Sequence, residues 1–175
     1  LEAIFERYCN GIKEICKKGS SNVAQKDLKD CDGEYPIYGA SGFIKKVNFF
    51  HQEEECIGLV KDGAGVGRVL FLPPQSSVIG TLQYIKPNEG YDIRYIGYCL
   101  QSINLSKYSQ GATIPHIYFK DYGEEQVVVA TDTLEQQRII DILDAEFAKI
   151  DALKENAERN LQNAKDLFQA VLRKE

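Results

Sequence analysis

Several features are missing from this sequence, and each absence excludes a class of protein. No apolar run approaches the length of a membrane span, and no signal peptide opens the chain. The five cysteines include no C-x-x-C pair, which argues against a disulfide framework or a zinc site and for reduced thiols in the cytoplasm. Methionine is absent, so we expect a fragment or processed form of a longer protein.

A basic excess is also missing. The formal charge is −5, with 14 Lys+Arg against 16 Asp+Glu in residues 1–130 and 7 against 10 in residues 131–175. A surface for nucleic acid would therefore have to be a local patch, since the overall charge neither supports nor excludes one.

Helix breakers are absent from the last part of the chain. All glycines, prolines and tyrosines precede Glu124. Thr133 and Gln136 are spaced as a capping box, which predicts a helix starting at Leu134. At 1.5 Å per residue, a helix from there to Arg173 would reach roughly 60 Å. A compact body of the preceding residues would be only about 30 Å across.

One face of this predicted helix carries apolar residues at alternating steps of three and four, interrupted only by Lys154. We call this face the seam; its other members are Ile140, Leu143, Phe147, Ile150, Ala157, Leu161, Ala164, Phe168 and Val171. Such spacing keeps one face toward a partner helix, so we predict a coiled coil. The alternative is a C-terminal helix packed on an ordinary domain.

The preceding residues predict a body of mixed α+β class. Leu1–Cys16 has roughly helical apolar spacing, and residues 17–33 read as a polar loop. Strands are predicted at 35–37, 56–60, 68–72, 81–85 and 126–130, with a helix capped by Asp92 and running to Gln101. We therefore expect a short-stranded α+β domain at residues 1–130 and one long coiled-coil helix at residues 131–175.

A glycine-rich loop between two predicted strands is the first segment that could carry chemistry. It runs from Lys61 to Arg68 as KDGAGVGR. Its glycines are not spaced as a dinucleotide fingerprint, and it lacks the Gly-Lys-Ser/Thr of a Walker loop. A tight hairpin and a backbone-exposing loop that meets a DNA phosphate between Lys61 and Arg68 both remain open.

A second loop, residues 109–120, mixes hydrogen-bonding side chains with a proline and an aromatic pair. A hydrolase would pair His116, as base, with Cys31, Cys56 or Cys99 as nucleophile. Nothing in the sequence brings nucleophile, base and orienting group together. We therefore expect no enzyme activity, no cofactor and no metal.

Four segments together resemble the specificity subunits of type I restriction-modification systems. They are YPIYGASG at 35–42, KDGAGVG at 61–67, GATIP at 111–115 and EQQRI at 135–139. The resemblance covers nearly the whole chain from about Gly19 and implies a non-catalytic target recognition domain for one half of a split DNA sequence. It also implies a spacer helix that sets the distance between two such domains and docks methyltransferase subunits. Through these subunits it would reach the restriction subunit.

A full family subunit has two recognition domains and two spacer helices, whereas this chain has one of each. We therefore expect a half-subunit, natural or cut, that forms a homodimer by antiparallel helix pairing. The first sixteen residues do not match the family's usual opening.

Reading of double-stranded DNA needs cations for phosphates and forked donors and acceptors for base edges. The predicted phosphate ligands are Lys45, Lys46, Lys61, Arg68, Lys107 and Lys120, and the predicted base or sugar ligands are Ser41, Gln110, Thr113, His116 and Tyr118. Thr113, Pro115 and Tyr118 are equally compatible with a framework role.

Three functions thus compete. The first is a DNA-reading specificity module, and the second is a coiled-coil adaptor that binds protein partners without reading DNA. The third, a nucleotide or thiol enzyme, would bind ATP or lose function on cysteine substitution.

Overall fold

The computed structural model describes residues 9–111 and 113–172. The chain divides into two compact units, Leu1–Gln136 and Gln137–Glu175. The helical spacing predicted for Leu1–Tyr8 lies outside the described residues.

The first unit consists of short strands joined by turns and brief helices. Its strands are β1 (Cys9–Gly11), β2 (Cys16–Ser20), β3 (Tyr35–Gly39), β4 (Gly42–Val47), β5 (Cys56–Val60), β6 (Val69–Leu72), β7 (Ser77–Val78), β8 (Leu82–Pro87) and β9 (Gln126–Val128). Its α-helices are α1 (Ile12–Ile15), α2 (Ile93–Ser102) and α3 (Phe119–Tyr122), and 3-10 turns cover Gln25–Leu28 and Leu105–Tyr108. The long helix α4 spans Thr133–Leu172.

The strands form three sheets. The largest has the order β2-β8-β5-β6 and is antiparallel throughout, with Ile57 opposite Ile85 and Gly58 opposite Leu70. The second has the order β4-β3-β7, with β3 antiparallel to β4 and parallel to β7. The third pairs β1 with β9.

The core lies between the two larger sheets. β5 is buried at all five positions, which means that both faces of the sheet are covered there, and β6 and β8 pair with its two edges. Ile37 of β3, Val47 of β4 and Leu82 of β8 are all 0% exposed in the same cluster. Burial of such side chains is the main stabilising term for a body of this size.

The prediction of a mixed α+β body followed by one long helix is confirmed. The strands predicted at 35–37, 56–60, 68–72, 81–85 and 126–130 all exist, with ends shifted by one or two residues. Asp92 caps α2 as predicted, because its Oδ1 accepts hydrogen bonds from the amides of Arg94 (2.7 Å) and Tyr95 (3.1 Å).

The helical prediction for Leu1–Cys16 is wrong at Cys9–Gly11, which form β1. In the rest of the first fifty residues, one loop prediction is wrong and one strand was missed. Residues 17–33 are not one loop, since β2 pairs with β8 from Cys16 to Ser20 and a 3-10 turn follows. The sequence of β2 lacks the alternation of apolar and polar residues that predicts a strand, because β2 is an edge strand whose lysines remain exposed. The strand β4 was likewise not predicted, because its two lysines interrupt the apolar run.

The capping box predicted for Thr133 and Gln136 is also wrong. The side chain that caps α4 is Asp132, whose Oδ1 accepts from the amide of Leu134 at 3.0 Å, and the helix starts one residue earlier than predicted. Gln136 is instead fully buried. Its side chain accepts from the amide of Asp92 (2.8 Å) and donates to the carbonyls of Gly90 (3.0 Å) and Ala130 (2.9 Å).

The seam of α4 is exposed beyond its first turns. Ile140 is buried and Leu143 is half-buried, whereas Phe147, Ile150, Leu161, Phe168 and Val171 are 43–66% exposed. Among the described residues, no helix combines the length and apolarity needed to cross a bilayer.

Candidate nucleic-acid interface

The glycine-rich loop at residues 61–68 is a hairpin connection between β5 and β6. The amide of Val60 donates to the carbonyl of Arg68, and the amide of Gly67 to the carbonyl of Val60, both at 2.9 Å. Gly63 and Gly67 have φ of 89° and 87°, a region that side chains disfavour. The hairpin interpretation is thus confirmed for its backbone, which leads from strand to strand.

The second loop closes on itself at its two ends. Gln110 and His116 exchange backbone hydrogen bonds in both directions, at 2.8 and 2.9 Å. Within the loop that this pairing closes, Ile114 is 66% exposed. Thr113 is also exposed.

The two loops, about fifty residues apart in the sequence, are bonded to each other. The amide of Gly63 donates to the carbonyl of Pro115 at 2.9 Å, and the amide of Ile117 donates to the carbonyl of Lys61 at 3.0 Å. Between these bonds, Nδ1 of His116 forms a short hydrogen bond with the carboxylate of Asp62. The two loops therefore form one surface, which we call the loop surface.

A third segment joins the loop surface from the β3–β4 turn. Nη1 of Arg68 donates to the carbonyl of Ala40 at 2.8 Å. Ser41 follows directly and is exposed. A long, otherwise mobile arginine is thereby fixed by one end of its guanidinium group, and the turn is positioned against the hairpin.

The aromatic side chains of the second loop stack beside a cation. The rings of His116 and Tyr118 have centroids 4.1 Å apart, and Nζ of Lys120 lies 5.4 Å from the centroid of Tyr118. Gln110 donates from its side-chain amide to Asp121 at 3.0 Å. The loop surface thus brings together Ser41, Lys61, Arg68, Gln110, Thr113, His116, Tyr118 and Lys120.

Three of the predicted phosphate ligands are neutralised by acids. Lys61 pairs with Asp62 at 3.1 Å, Lys45 with Asp32 at 2.5 Å and Lys107 with Glu125 at 2.7 Å. Lys45 also donates to the carbonyl of Leu28 at 3.0 Å. The sequence did not reveal that Asp32 pairs with Lys45 or that Glu125 pairs with Lys107. In each pair the acid lies in a different segment from the lysine, and no sequence spacing indicates the contact.

Glu125 is the best-bonded of these acids. Hydrogen bonds from Lys107 and then from Tyr108 lower the pKa of its carboxyl group, since both stabilise the charged form. The same hydrogen bond raises the pKa of Lys107. This trio fastens the second 3-10 turn to the residue that precedes β9.

Three predicted cations form no ion pair with an acid in the part of the chain that the structure describes. Lys46 on β4 and Lys120 on α3 are exposed, and Arg68 is bound only to a neutral carbonyl. Of the six predicted phosphate ligands, these three have positive charge that no acid of the described residues neutralises.

Two of the three candidate thiols are poorly suited to nucleophilic chemistry. Burial raises the pKa of Cys56 to about 11 and also raises the pKa of Cys99, so both stay protonated at neutral pH. No three His, Cys, Asp or Glu side chains within the described ranges gather as metal ligands.

Comparison with solved structures identifies the fold. The chain is similar to the S subunit of the type I restriction-modification system from M. genitalium, with 16% identity over 84% of this chain and 40% of that one (TM-score 0.70). It is also similar to the HsdS subunit from Thermoanaerobacter tengcongensis, with 17% identity over 84% of this chain and 38% of that one (TM-score 0.63).

A third similar chain comes from a type I restriction-modification system solved to explain complex assembly and conformational transition. It shares 18% identity over 94% of this chain and 44% of its own length, with a TM-score of 0.76. The present chain thus spans less than half the length of each of these proteins.

A comparison with curated proteins gave no match. The model of one protein family, the type I restriction modification DNA specificity domain, matches residues 10–162. That range covers most of both units, and it includes the loop surface and most of α4. This chain therefore belongs to the family of type I restriction modification DNA specificity domains.

Proposed function

We propose that this chain is a non-catalytic reader of DNA that recognises one half of a bipartite target. The observation that carries this proposal is the loop surface. Segments from three parts of the sequence are bonded together there and present exposed polar and aromatic side chains. Loops held on a rigid scaffold are the usual way to place side chains against base edges.

The charge distribution supports a particular division of labour among the predicted ligands of the body. Lys46, Arg68 and Lys120 supply the uncompensated positive charge for phosphates. Gln110 and His116 are positioned by their own hydrogen bonds and would meet base edges or sugars. The other three predicted phosphate ligands would mainly stabilise the body, since their ammonium groups are bound to acids of the same unit. They are Lys45, Lys61 and Lys107.

The long helix supplies the second half of the proposal. Its exposed seam pairs with another such helix, in an antiparallel homodimer of this chain or with a second helix of a longer subunit. Two reading units would then be held at a fixed separation. Methyltransferase subunits and, through them, the restriction subunit are the expected further partners in the cytoplasm.

A second function is favoured by one specific observation. Three of the six predicted phosphate ligands are paired with acids of the same unit, and residues 1–130 carry 14 Lys+Arg against 16 Asp+Glu. That would suit a coiled-coil adaptor which binds protein and does not read DNA. The two functions differ in their response to salt, because phosphate contacts release counterions.

An electrophoretic gel shift with duplexes of random sequence separates them. The wild-type chain should bind more weakly as salt rises, and Lys46→Glu with Lys120→Glu should lower the slope of log affinity against log salt by about 2. The matched control is Lys149→Glu with Lys165→Glu on α4, which should leave the slope unchanged. A wild-type chain that does not bind DNA, or a control as defective as the body variant, would contradict the assignment.

A further inference from the structure

A cavity beside the loop surface is not explained by phosphate binding. It has a volume of 390 Å³ and is lined by Gln25, Ser41, Phe43, Ile44, Ile79 and Thr81, among others. The sequence analysis singled out only Ser41 from this group. Its lining combines apolar side chains (Phe43, Ile44 and Ile79), which we call the apolar wall, with polar ones (Gln25, Ser41 and Thr81), which we call the polar wall. The cavity therefore suits a group with both characters.

Phe43 forms the exposed part of the apolar wall. Its side chain is 57% exposed, an unusual state for a phenylalanine on a strand. The ring of Tyr38 braces it edge-on, with centroids 6.0 Å apart at 74°. The register of β3 and β4 shifts between Ile37 and Tyr38, and such a bulge redirects the side chains beside it.

The polar wall carries unused hydrogen-bonding groups. Gln25 is exposed, and its side chain has no hydrogen-bond partner among the described residues. The hydroxyl oxygen of Thr81 is buried and likewise unpartnered within that part of the chain. With less than 1 Å² exposed, this oxygen is out of reach of a ligand, so Gln25 is the group of this wall that can meet one.

The cavity is mechanically joined to the loop surface on two sides. The amides of Lys61 and Asp62 both donate to the carbonyl of Thr81, at 3.0 and 3.2 Å. On the other side, Arg68 holds Ala40, which precedes Ser41 in the turn. The cavity is therefore held next to the loop surface.

We propose that this cavity reads one A·T base pair, with Phe43 against the thymine methyl group and the Gln25 amide on the adenine edge. In the major groove, thymine offers a methyl group and an acceptor, and a glutamine amide can bond adenine at both N6 and N7. The polar and apolar walls match these two halves of the pair. This inference rests on the proposed DNA-reading function and specifies one of its contacts.

The test begins with selection of the preferred target from random duplexes, using the whole chain. Each thymine of the half-site is then replaced by deoxyuridine, which removes only the methyl group. At one thymine, the wild-type chain should lose about fourfold in affinity, the equivalent of one buried methyl group. Replacing its paired adenine by 7-deazaadenine should cost about fivefold, since one of two hydrogen bonds is lost.

The variants assign these losses to residues. Phe43→Ala should bind the thymine and deoxyuridine targets equally, whereas Phe43→Leu should keep the discrimination because it keeps an apolar contact. Gln25→Ala should lose discrimination against 7-deazaadenine at the same pair. Val128→Ala removes an exposed apolar side chain on β9 and should behave as wild type.

The outcomes separate the two proposals. A chain that selects no DNA sequence overturns the proposed function and this inference together. A chain that selects DNA, but whose Phe43→Ala variant retains the full deoxyuridine penalty, overturns only the inference. If Phe43→Ala does not fold, the Gln25→Ala comparison decides, and unchanged sensitivity to 7-deazaadenine there also overturns it.

Discussion

Replacing Phe147 and Leu161 by aspartate should convert a helix-paired dimer of this chain into a monomer. Both residues lie on the seam of α4, and their side chains are 43% and 57% exposed in the single chain. Exposed apolar side chains at coiled-coil spacing bury themselves when a second helix covers them. The proposed dimer therefore depends on these positions.

The seam itself suggests one register for an antiparallel pair. In such a pair, the seam positions written a in heptad notation lie level with the d positions of the opposite helix. One alignment pairs all ten seam residues: Phe147 with Ala164, Leu161 with Ile150, Lys154 with Ala157, Phe168 with Leu143, and Ile140 with Val171. Large side chains then face small ones at Phe147 and at Lys154, as close packing requires.

The size of the effect follows from the remaining exposure. Full burial of a Phe or Leu side chain contributes about 1.5–3 kcal/mol, and roughly half of that is still available at these positions. Two residues in each helix give four lost contacts per dimer, or about 3–6 kcal/mol. The dissociation constant should therefore rise by roughly 10²–10⁴-fold, before the cost of burying carboxylates is added.

Light scattering coupled to size exclusion at micromolar concentration measures this directly. The matched control is Ile142→Asp with Ala152→Asp, which places the same charges on the opposite side of the helix. The control should remain a dimer. A wild-type monomer, or a seam variant that dimerises as well as the control does, would refute the helix-pairing argument.

The remaining predictions concern the ruler, the start of the helix and the response to acid. Deleting one heptad, Lys154 to Asn160, should bring the two helix starts about 10 Å closer at 1.5 Å per residue, so target selection should return the same half-sites with a gap about three base pairs shorter. An unchanged gap would rule out the ruler. Gln136→Ala should lower the free energy of unfolding in urea by about 3 kcal/mol, because three backbone groups lose their buried partner; Gln137→Ala, at an exposed neighbour, should cost little. The pKa of Glu125 is lower in the folded chain than its ordinary 4.5, so its contribution to stability is present above that pH and is lost as pH falls through the folded pKa. Melting temperatures between pH 6 and pH 3 should therefore fall less for Glu125→Gln than for wild type, and parallel curves would contradict this role.

The elements that sequence reasoning found are those in which local and tertiary signals agree. β5 is a continuous run of apolar residues because it is buried on both sides, and Asp92 caps α2 because its own helix needs a hydrogen-bond acceptor there. β2 and β4 were not predicted because edge strands tolerate lysines, and the partner of β2 is the distant β8. Periodicity carries no information about such partners.

The start of α4 shows how tertiary contacts override a local motif. Thr133 and Gln136 have the spacing of a capping box, yet Gln136 bonds the backbone at Gly90, Asp92 and Ala130. Three partners from distant segments outweigh the single amide that a capping box would satisfy. A buried glutamine has no local signature, so only the fold reveals its role.

The two loops of the candidate interface were predicted, but the acids that pair with its lysines were not. Both loops were recognised from composition, but their bonding through Pro115 and Lys61 depends on how β5 and the second loop meet in space. The acids that neutralise Lys45 and Lys107 come from other segments. The cavity was not predicted for the same reason, since Gln25, Phe43 and Thr81 come from three separate segments of the chain.

The internal neutralisation has a consequence for how two reading units would act together. A unit whose acids slightly outnumber its cations would gain little from phosphates, so its affinity for any duplex, right or wrong, would be low. Discrimination then depends on contacts such as the cavity and the second loop. Joining two such units by a rigid helix pair makes the second contact intramolecular, which raises affinity for the correctly spaced site without raising it for single half-sites. On this argument, a near-neutral body is an advantage for a reader of split targets, because the spacing of the two halves becomes part of what is recognised.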